Sequence, residues 1–178
     1  LGGGYGVRYT QEDEAIDIPA RLAELAAYLK EETERLGLPM PRFLMEPGRS
    51  IVADAGMTLY TVGSVKRIPG YKQYAAVDGG MTDNPRYALY QSRYTVYHAH
   101  KSGSMERFDV VGRCCESGDI IQPGVELPGD TCRGDILAVC TTGAYNYSMA
   151  SNYNRLPRPA VVMLTPDRIY EAVRRETF

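Results

Sequence analysis

The spacing of apolar residues changes once along this chain, between residues 53 and 56, and that change restricts the folds open to it. Ahead of it, Leu22, Leu25, Ala26, Leu29, Thr33 and Leu36 recur at helical spacing. Asp17 can cap the helix, Pro19 suits its first turn, and Gly37 and Pro39 end it, so the pattern predicts a helix over residues 17–36. The opposite face, with Glu24, Lys30, Glu31, Glu34 and Arg35, reads as solvated surface. Beyond the change, alternating or β-branched runs at 58–65, 74–77, 94–98, 108–111 and 136–139 are separated by turn residues, with no second long amphipathic helix. The expected organisation is an α/β segment over residues 1–55 followed by an antiparallel all-β domain over residues 56–178.

Within the first segment, Gly2-Gly3-Gly4-Tyr5-Gly6 reads as the end of a strand running into a Gly-rich turn, and residues 43–45 as a second short strand ending at Glu46-Pro47-Gly48-Arg49. Strand, loop, helix, strand, loop is the rhythm of a parallel sheet or barrel, in which chemistry gathers in loops at the carboxyl ends of strands. Glycines let backbone N–H groups approach an anion closely, and arginine supplies charge and forked donors, so both loops on one rim suit a phosphate. Three glycines alone are more often a plain flexible turn than a phosphate site.

The densest chemistry lies at Cys115-Glu116-Ser117-Gly118-Asp119, preceded by Arg113 and Cys114. A thiol, a hydroxyl and two carboxylates around one glycine could donate a proton, bind a cation and hold a tight turn. The four cysteines have no CxxC spacing and only His98 and His100 could join them, which argues against zinc. A net charge of -2 and a pI near 5.8 supply no basic field for nucleic acid. A small neutral or zwitterionic ligand fits better. With no secretory hydrophobic region and no apolar run near ~18 residues, a cytoplasmic protein with reduced thiols and no membrane association is expected. Leu1 followed directly by glycines suggests the carboxyl-terminal part of a longer protein.

Turn signals fall at residues 78–80 and 83–86, and Pro123-Gly124 with Pro128-Gly129-Asp130 predict a protruding loop between them. Tyrosines cluster at 87, 90, 94 and 97 and again at 145, 147 and 153, as core or interface residues. The tail predicts a buried strand at 160–164 and a short helix from Pro166-Asp167 to about Arg175.

Taken in order, Gly2-Gly3-Gly4, Glu46-Pro47-Gly48-Arg49, Val77-Asp78-Gly79-Gly80-Met81, Asn84-Pro85-Arg86 through Leu89-Tyr90, Cys115-Glu116-Ser117-Gly118-Asp119 and Gly143-Ala144-Tyr145 resemble the carboxyl-terminal portion of the diaminopimelate decarboxylase family. That family belongs to the alanine-racemase-like, pyridoxal-phosphate-dependent decarboxylases. The resemblance implies the last two βα units of a (β/α)8 barrel followed by the β-domain. It implies that Gly3, Gly4, Glu46, Pro47, Gly48, Arg49 and Tyr145 bind pyridoxal 5'-phosphate, with Glu46 facing the ring nitrogen and keeping it protonated. Cys115 would be the general acid, a role open to a thiol because it is ordinarily protonated near neutral pH. Glu116 would pair with the distal ammonium of meso-diaminopimelate, while Arg49, Arg86, Tyr90 and Tyr145 complete the substrate site. The product would be L-lysine, and the Cys-Glu pair would come from the partner in a homodimer.

The lysine that holds the cofactor covalently lies upstream in that family. Lys30 sits on the solvated helix face, and Lys66, Lys72 and Lys101 fall in the β-domain. These residues alone are therefore expected neither to hold the cofactor covalently nor to turn over. Decarboxylases of ornithine, arginine or carboxynorspermidine share the Gly-rich and Glu-Pro-Gly-Arg loops but have no use for a distal carboxylate, so Arg86, Tyr90 and Glu116 favour diaminopimelate. A non-catalytic dimerisation module is the reading from another class. Keeping both Cys115 and Glu116 argues against it.

Overall fold

The computed structural model describes residues 1–178. Helix α1 spans Ile18–Arg35, where Asp17 caps by accepting the Ala20 amide at 3.0 Å. Its end is closed by the Gly37 amide on Glu34 and the Leu38 amide on Thr33, with Gly37 left-handed at φ 66°. Those two bonds satisfy carbonyls that the last turn leaves free, and a left-handed residue there favours glycine. No residue of α1 is fully buried, so its apolar stripe has no complete neighbour within this chain.

A single turn, α2 (Arg49–Val52), leads into β1 (Met57–Ile68), β2 (Lys72–Val77), α3 (Arg86–Tyr90), β3 (Val96–His98), β4 (Met105–Val111), β5 (Ile120–Pro128), β6 (Ile136–Cys140) and α4 (Asn146–Met149). The six strands form one sheet in the order β3-β6-β1-β2-β4-β5. The sheet curls until its edges approach, and the Tyr94 amide just before β3 donates to Gln122 of β5 at 2.9 Å. Period-2 alternation aims Tyr60, Val62, Ala75, Val77, Phe108, Val110, Ile121, Leu127, Leu137 and Val139 into one core. Phe108 is fully buried there, and truncating such a side chain to Ala costs about 3–5 kcal/mol.

Four expectations are corrected. The β-domain is mixed rather than antiparallel, because β2 and β4 pair in parallel. The expected loop at Pro123 to Pro128 is strand β5. It is a sheet edge, the position that tolerates proline, and its register against β4 breaks beside Gly124. Residues 1–6 and 43–45 are not strands, since a strand needs a paired neighbour and the only ladder-like bond between them is Glu46 N–H to Gly2 at 3.5 Å. The tail is a hairpin of β7 (Val161–Leu164) and β8 (Ile169–Val173) with exposed apolar side chains, not a buried strand and a helix. There Pro166-Asp167 turns the chain, and the Thr165 amide and hydroxyl both donate to the Arg168 carbonyl at 3.0 Å. No helix is long and apolar enough to cross a membrane.

Candidate active site

Three segments far apart in sequence meet where residues 1–55 join the β-domain. A Cβ on Gly3 would lie 2.2 Å from the Glu46 carbonyl oxygen, and one on Gly48 would lie 2.8 Å from Tyr145 Oη. The glycines are therefore required by close approach, and they leave a backbone cradle facing a phenol. Gly4 adopts φ 85° with open space around it. Glu46 and Pro47 are exposed beside this cradle. Tyr145 reaches it because Gly143 is clamped against α2, with its amide donating to Ala53 at 2.9 Å. A Cβ on Gly143 would sit 1.9 Å from the Val52 carbonyl.

Arg49 opens α2, and its guanidinium carbon lies 5.1 Å from the Tyr145 ring centroid and 5.6 Å from that of Tyr9. Arg49 Nη1 also donates to Tyr9 Oη. No Asp or Glu pairs with it. Glycine backbone without Cβ obstruction, a phenol and an arginine with unspent charge together fit a phosphate monoester such as that of pyridoxal phosphate. No lysine joins the cradle: Lys72 pairs with Asp109, Lys101 with Asp135, and Lys30 and Lys66 are exposed.

The Cys115 loop is built on a different buried group. Asp119 is 5% exposed and its carboxylate accepts the amides of Met81 and Cys114, each at 2.6 Å. Gly80 and Gly112 leave the room it needs, since a Cβ on either would meet its oxygens at 2.7 Å and 2.3 Å. This anchor separates the vicinal cysteines. Cys114 points inward, where burial pushes its thiol up, and Cys115 is exposed in a left-handed conformation at φ 54°. Beside it, the Glu116 carboxylate accepts the Ser117 hydroxyl at 3.1 Å, the Ser117 amide at 2.9 Å and Tyr153 Oη at 3.4 Å. The Ser117 hydroxyl does most to hold that carboxyl below its usual range. Cys115 and Glu116 border an open cleft of about 360 Å³ with Lys72, Tyr74 and Asp109.

Arg86 and Tyr90 form a third group on α3. Arg86 is 6% exposed, its guanidinium carbon lies 5.4 Å from the Tyr90 ring centroid, and Tyr90 itself is exposed. Its guanidinium donates to Ser92 Oγ at 3.4 Å and Met149 Sδ at 3.9 Å and lies beside the Tyr94 phenol, its Nε has no partner, and no carboxylate pairs with it. A buried guanidinium without a counter-ion is costly unless an anion joins it. Within one chain, Gly3, Glu46, Gly48, Arg49 and Tyr145 therefore come together, Arg86 and Tyr90 form a pair, and Cys115 and Glu116 form another. No hydrogen bond or ring contact links the Cys115 loop to the cradle. Tyr9 is a member that sequence reasoning missed, because its contact with Arg49 spans 40 positions and follows no motif spacing.

A family model described as pyridoxal-dependent decarboxylase, C-terminal sheet domain, matches residues 16–143, and the chain belongs to that family. Among named relatives, the diaminopimelate decarboxylase of Bacillus subtilis is 49% identical over the whole of this chain and 41% of its own length. That of Staphylococcus aureus is 42% identical over 99% of this chain and 42% of its own length. The crystal structure of diaminopimelate decarboxylase from M. jannaschii matches 99% of this chain and 40% of its own with a TM-score of 0.93 at 31% identity. A lysine/ornithine decarboxylase from Vibrio vulnificus complexed with cadaverine matches 86% of this chain and 40% of its own with a TM-score of 0.74 at 27% identity. The chain thus spans about two fifths of the length of these relatives.

Proposed function

We propose that this chain supplies the β-domain and part of the active site of a cytoplasmic, homodimeric decarboxylase that converts meso-2,6-diaminopimelate to L-lysine and carbon dioxide. The observation that carries this reading is the convergence of Gly3, Gly48, Arg49 and Tyr145 on one cradle, in a chain 49% identical to a diaminopimelate decarboxylase. The two barrel-derived βα units are taken to be residues 1–55, completed by a barrel segment like that of the relatives.

Gly3, Gly4, Gly48 and Arg49 would hold the phosphate of pyridoxal phosphate, Tyr145 would add its hydroxyl, and Glu46 would supply the carboxylate that keeps the ring nitrogen protonated. The bound cofactor supplies an electron sink for the pair left when carbon dioxide departs. Cys115 gives its Sγ proton to the α-carbon. Its left-handed backbone and exposure on a loop pinned by Asp119 hold the thiol outward for that task. Glu116, kept ionised by Ser117, pairs with the substrate's distal ammonium. Arg86, buried without a counter-ion, takes the distal carboxylate together with Arg49 and Tyr90. That no hydrogen bond or ring contact joins the Cys115 loop to the cradle within one chain supports a site completed by the partner subunit.

The test joins the amino-terminal part of the Bacillus subtilis relative to this chain and measures carbon dioxide release from meso-diaminopimelate. Turnover is expected, falling at least ~100-fold in Cys115→Ala. A folded, cofactor-loaded dimer that releases no carbon dioxide would overturn the reading.

A further inference from the structure

Tyr9 lies outside every motif that carries the family likeness, yet Arg49 and the β-domain core meet at it. Its carbonyl accepts the Thr95 amide at 3.2 Å and the Thr95 hydroxyl at 2.9 Å, and its own amide donates to Asp13 at 2.9 Å. Its ring packs edge-on against the buried Tyr94, with centroids 5.3 Å apart at 88°, and rests on the hydrophobic core. Backbone and ring are thus fixed from three sides. From that position Tyr9 Oη accepts Arg49 Nη1, while the Tyr145 ring lies 5.1 Å from the guanidinium carbon.

Both aromatic partners are phenols rather than carboxylates. A carboxylate in place of Tyr9 would restrain Arg49 equally well but would spend its charge in an ion pair. A phenol restrains the side chain and leaves the charge for an incoming anion. We infer that Tyr9 is a positioning residue that fixes the Arg49 guanidinium beside Gly48 and Tyr145, ready for the anionic group of a ligand, whether phosphate or carboxylate. This inference rests on the proposed site, because it takes Arg49 as the anion-binding group.

The joined enzyme, prepared without cofactor, is titrated with inorganic phosphate and, separately, with acetate, following the Arg49 Nε–Hε and the Gly3 and Gly48 amide resonances by NMR. Phosphate is expected to shift these resonances more than acetate if the cradle serves a phosphate; the reverse order assigns it to a carboxylate. Either order supports an anion site. Tyr9→Phe keeps the ring and its packing on Tyr94 but removes the acceptor, and should weaken the preferred anion about five- to twentyfold and displace the Arg49 Nε signal. Thr95→Val loosens the backbone anchor while leaving the phenol in place, and should keep the parental affinity to within about twofold. Equal losses in Tyr9→Phe and Thr95→Val would mean general loosening and overturn the inference. An unchanged affinity in Tyr9→Phe, alongside a loss in Arg49→Gln, overturns the role of Tyr9 alone. An unchanged affinity in Arg49→Gln overturns the site reading on which it rests.

Discussion

Asp119 shows how one side chain can decide where its neighbours stand. Its buried carboxylate holds two amides at 2.6 Å, one from Met81 and one from Cys114, and so joins the Gly79-Gly80-Met81 turn to the Cys114-Cys115 loop. Asp119→Asn keeps the shape but sets an NH₂ group against one of those N–H donors, leaving it unsatisfied. The variant should lose about 2–4 kcal/mol in denaturant unfolding. Parental stability in Asp119→Asn would show that the clamp is not what holds the loop. The Cys-Glu-Ser-Gly-Asp run made this region stand out in the sequence, but not the division of labour within it. Adjacent cysteines look alike in one dimension. What separates them is the left-handed turn at Cys115 and the burial of Cys114, both consequences of the contact between Asp119 and residues near position 80.

Among the elements, α1 was readable because everything that defines it is local: the Asp17 cap, the apolar spacing and the Gly37 stop lie in one continuous stretch. Strand β5 was not, because Pro123 and Gly124 carry strong turn signals. Only the strand's place at a sheet edge, with the Gly124 amide satisfied by Asp109 at 2.8 Å, makes them compatible with a strand. The tail failed for a related reason. Pro166-Asp167 suits either the start of a helix or a hairpin turn, and pairing between β7 and β8 selects the turn. This hairpin is tied down at its base by Glu176, which accepts Arg158 Nε at 2.7 Å, the Arg158 amide at 2.9 Å and Asn152 Nδ2 at 2.7 Å. The Arg158 guanidinium is the main cause that lowers the Glu176 pKa to about 2. A depressed carboxylate contributes stability that is fully present above its unfolded value, about 4.3, and is lost as pH falls from there through the folded value. Hydrogen exchange at the Arg158 amide, corrected for intrinsic rate, should therefore rise between about pH 4 and 2 while core amides such as Phe108 stay protected. Glu176→Gln should show the same loosening already at pH 7. Protection that is flat in pH for both proteins would contradict the clamp.

At the scale of the whole molecule, no hydrogen bond or ring contact joins the cradle of Arg49 and Tyr145 to Cys115 with Glu116. Order along the chain supplied the candidate members, but which of them stand together in one subunit depends on contacts that sequence spacing does not encode. If the two halves are completed across a dimer, mixing two inactive variants of the joined enzyme, Arg49→Ala and Cys115→Ala, should restore about one quarter of parental activity after subunit exchange. That follows because half the dimers are mixed and each of these regains one intact site. Absence of any recovery, with exchange verified, would place both halves of a site in the same subunit.

The most direct measurement is the specificity of the joined enzyme, as kcat/KM for meso-diaminopimelate against L-ornithine and L-lysine, before and after Arg86→Ala. The buried, unpaired guanidinium of Arg86 predicts a preference for meso-diaminopimelate of at least ~100-fold, collapsing in Arg86→Ala chiefly through kcat/KM for that substrate. Equal or better turnover of ornithine or lysine by the parent, unaffected by Arg86→Ala, would contradict the account.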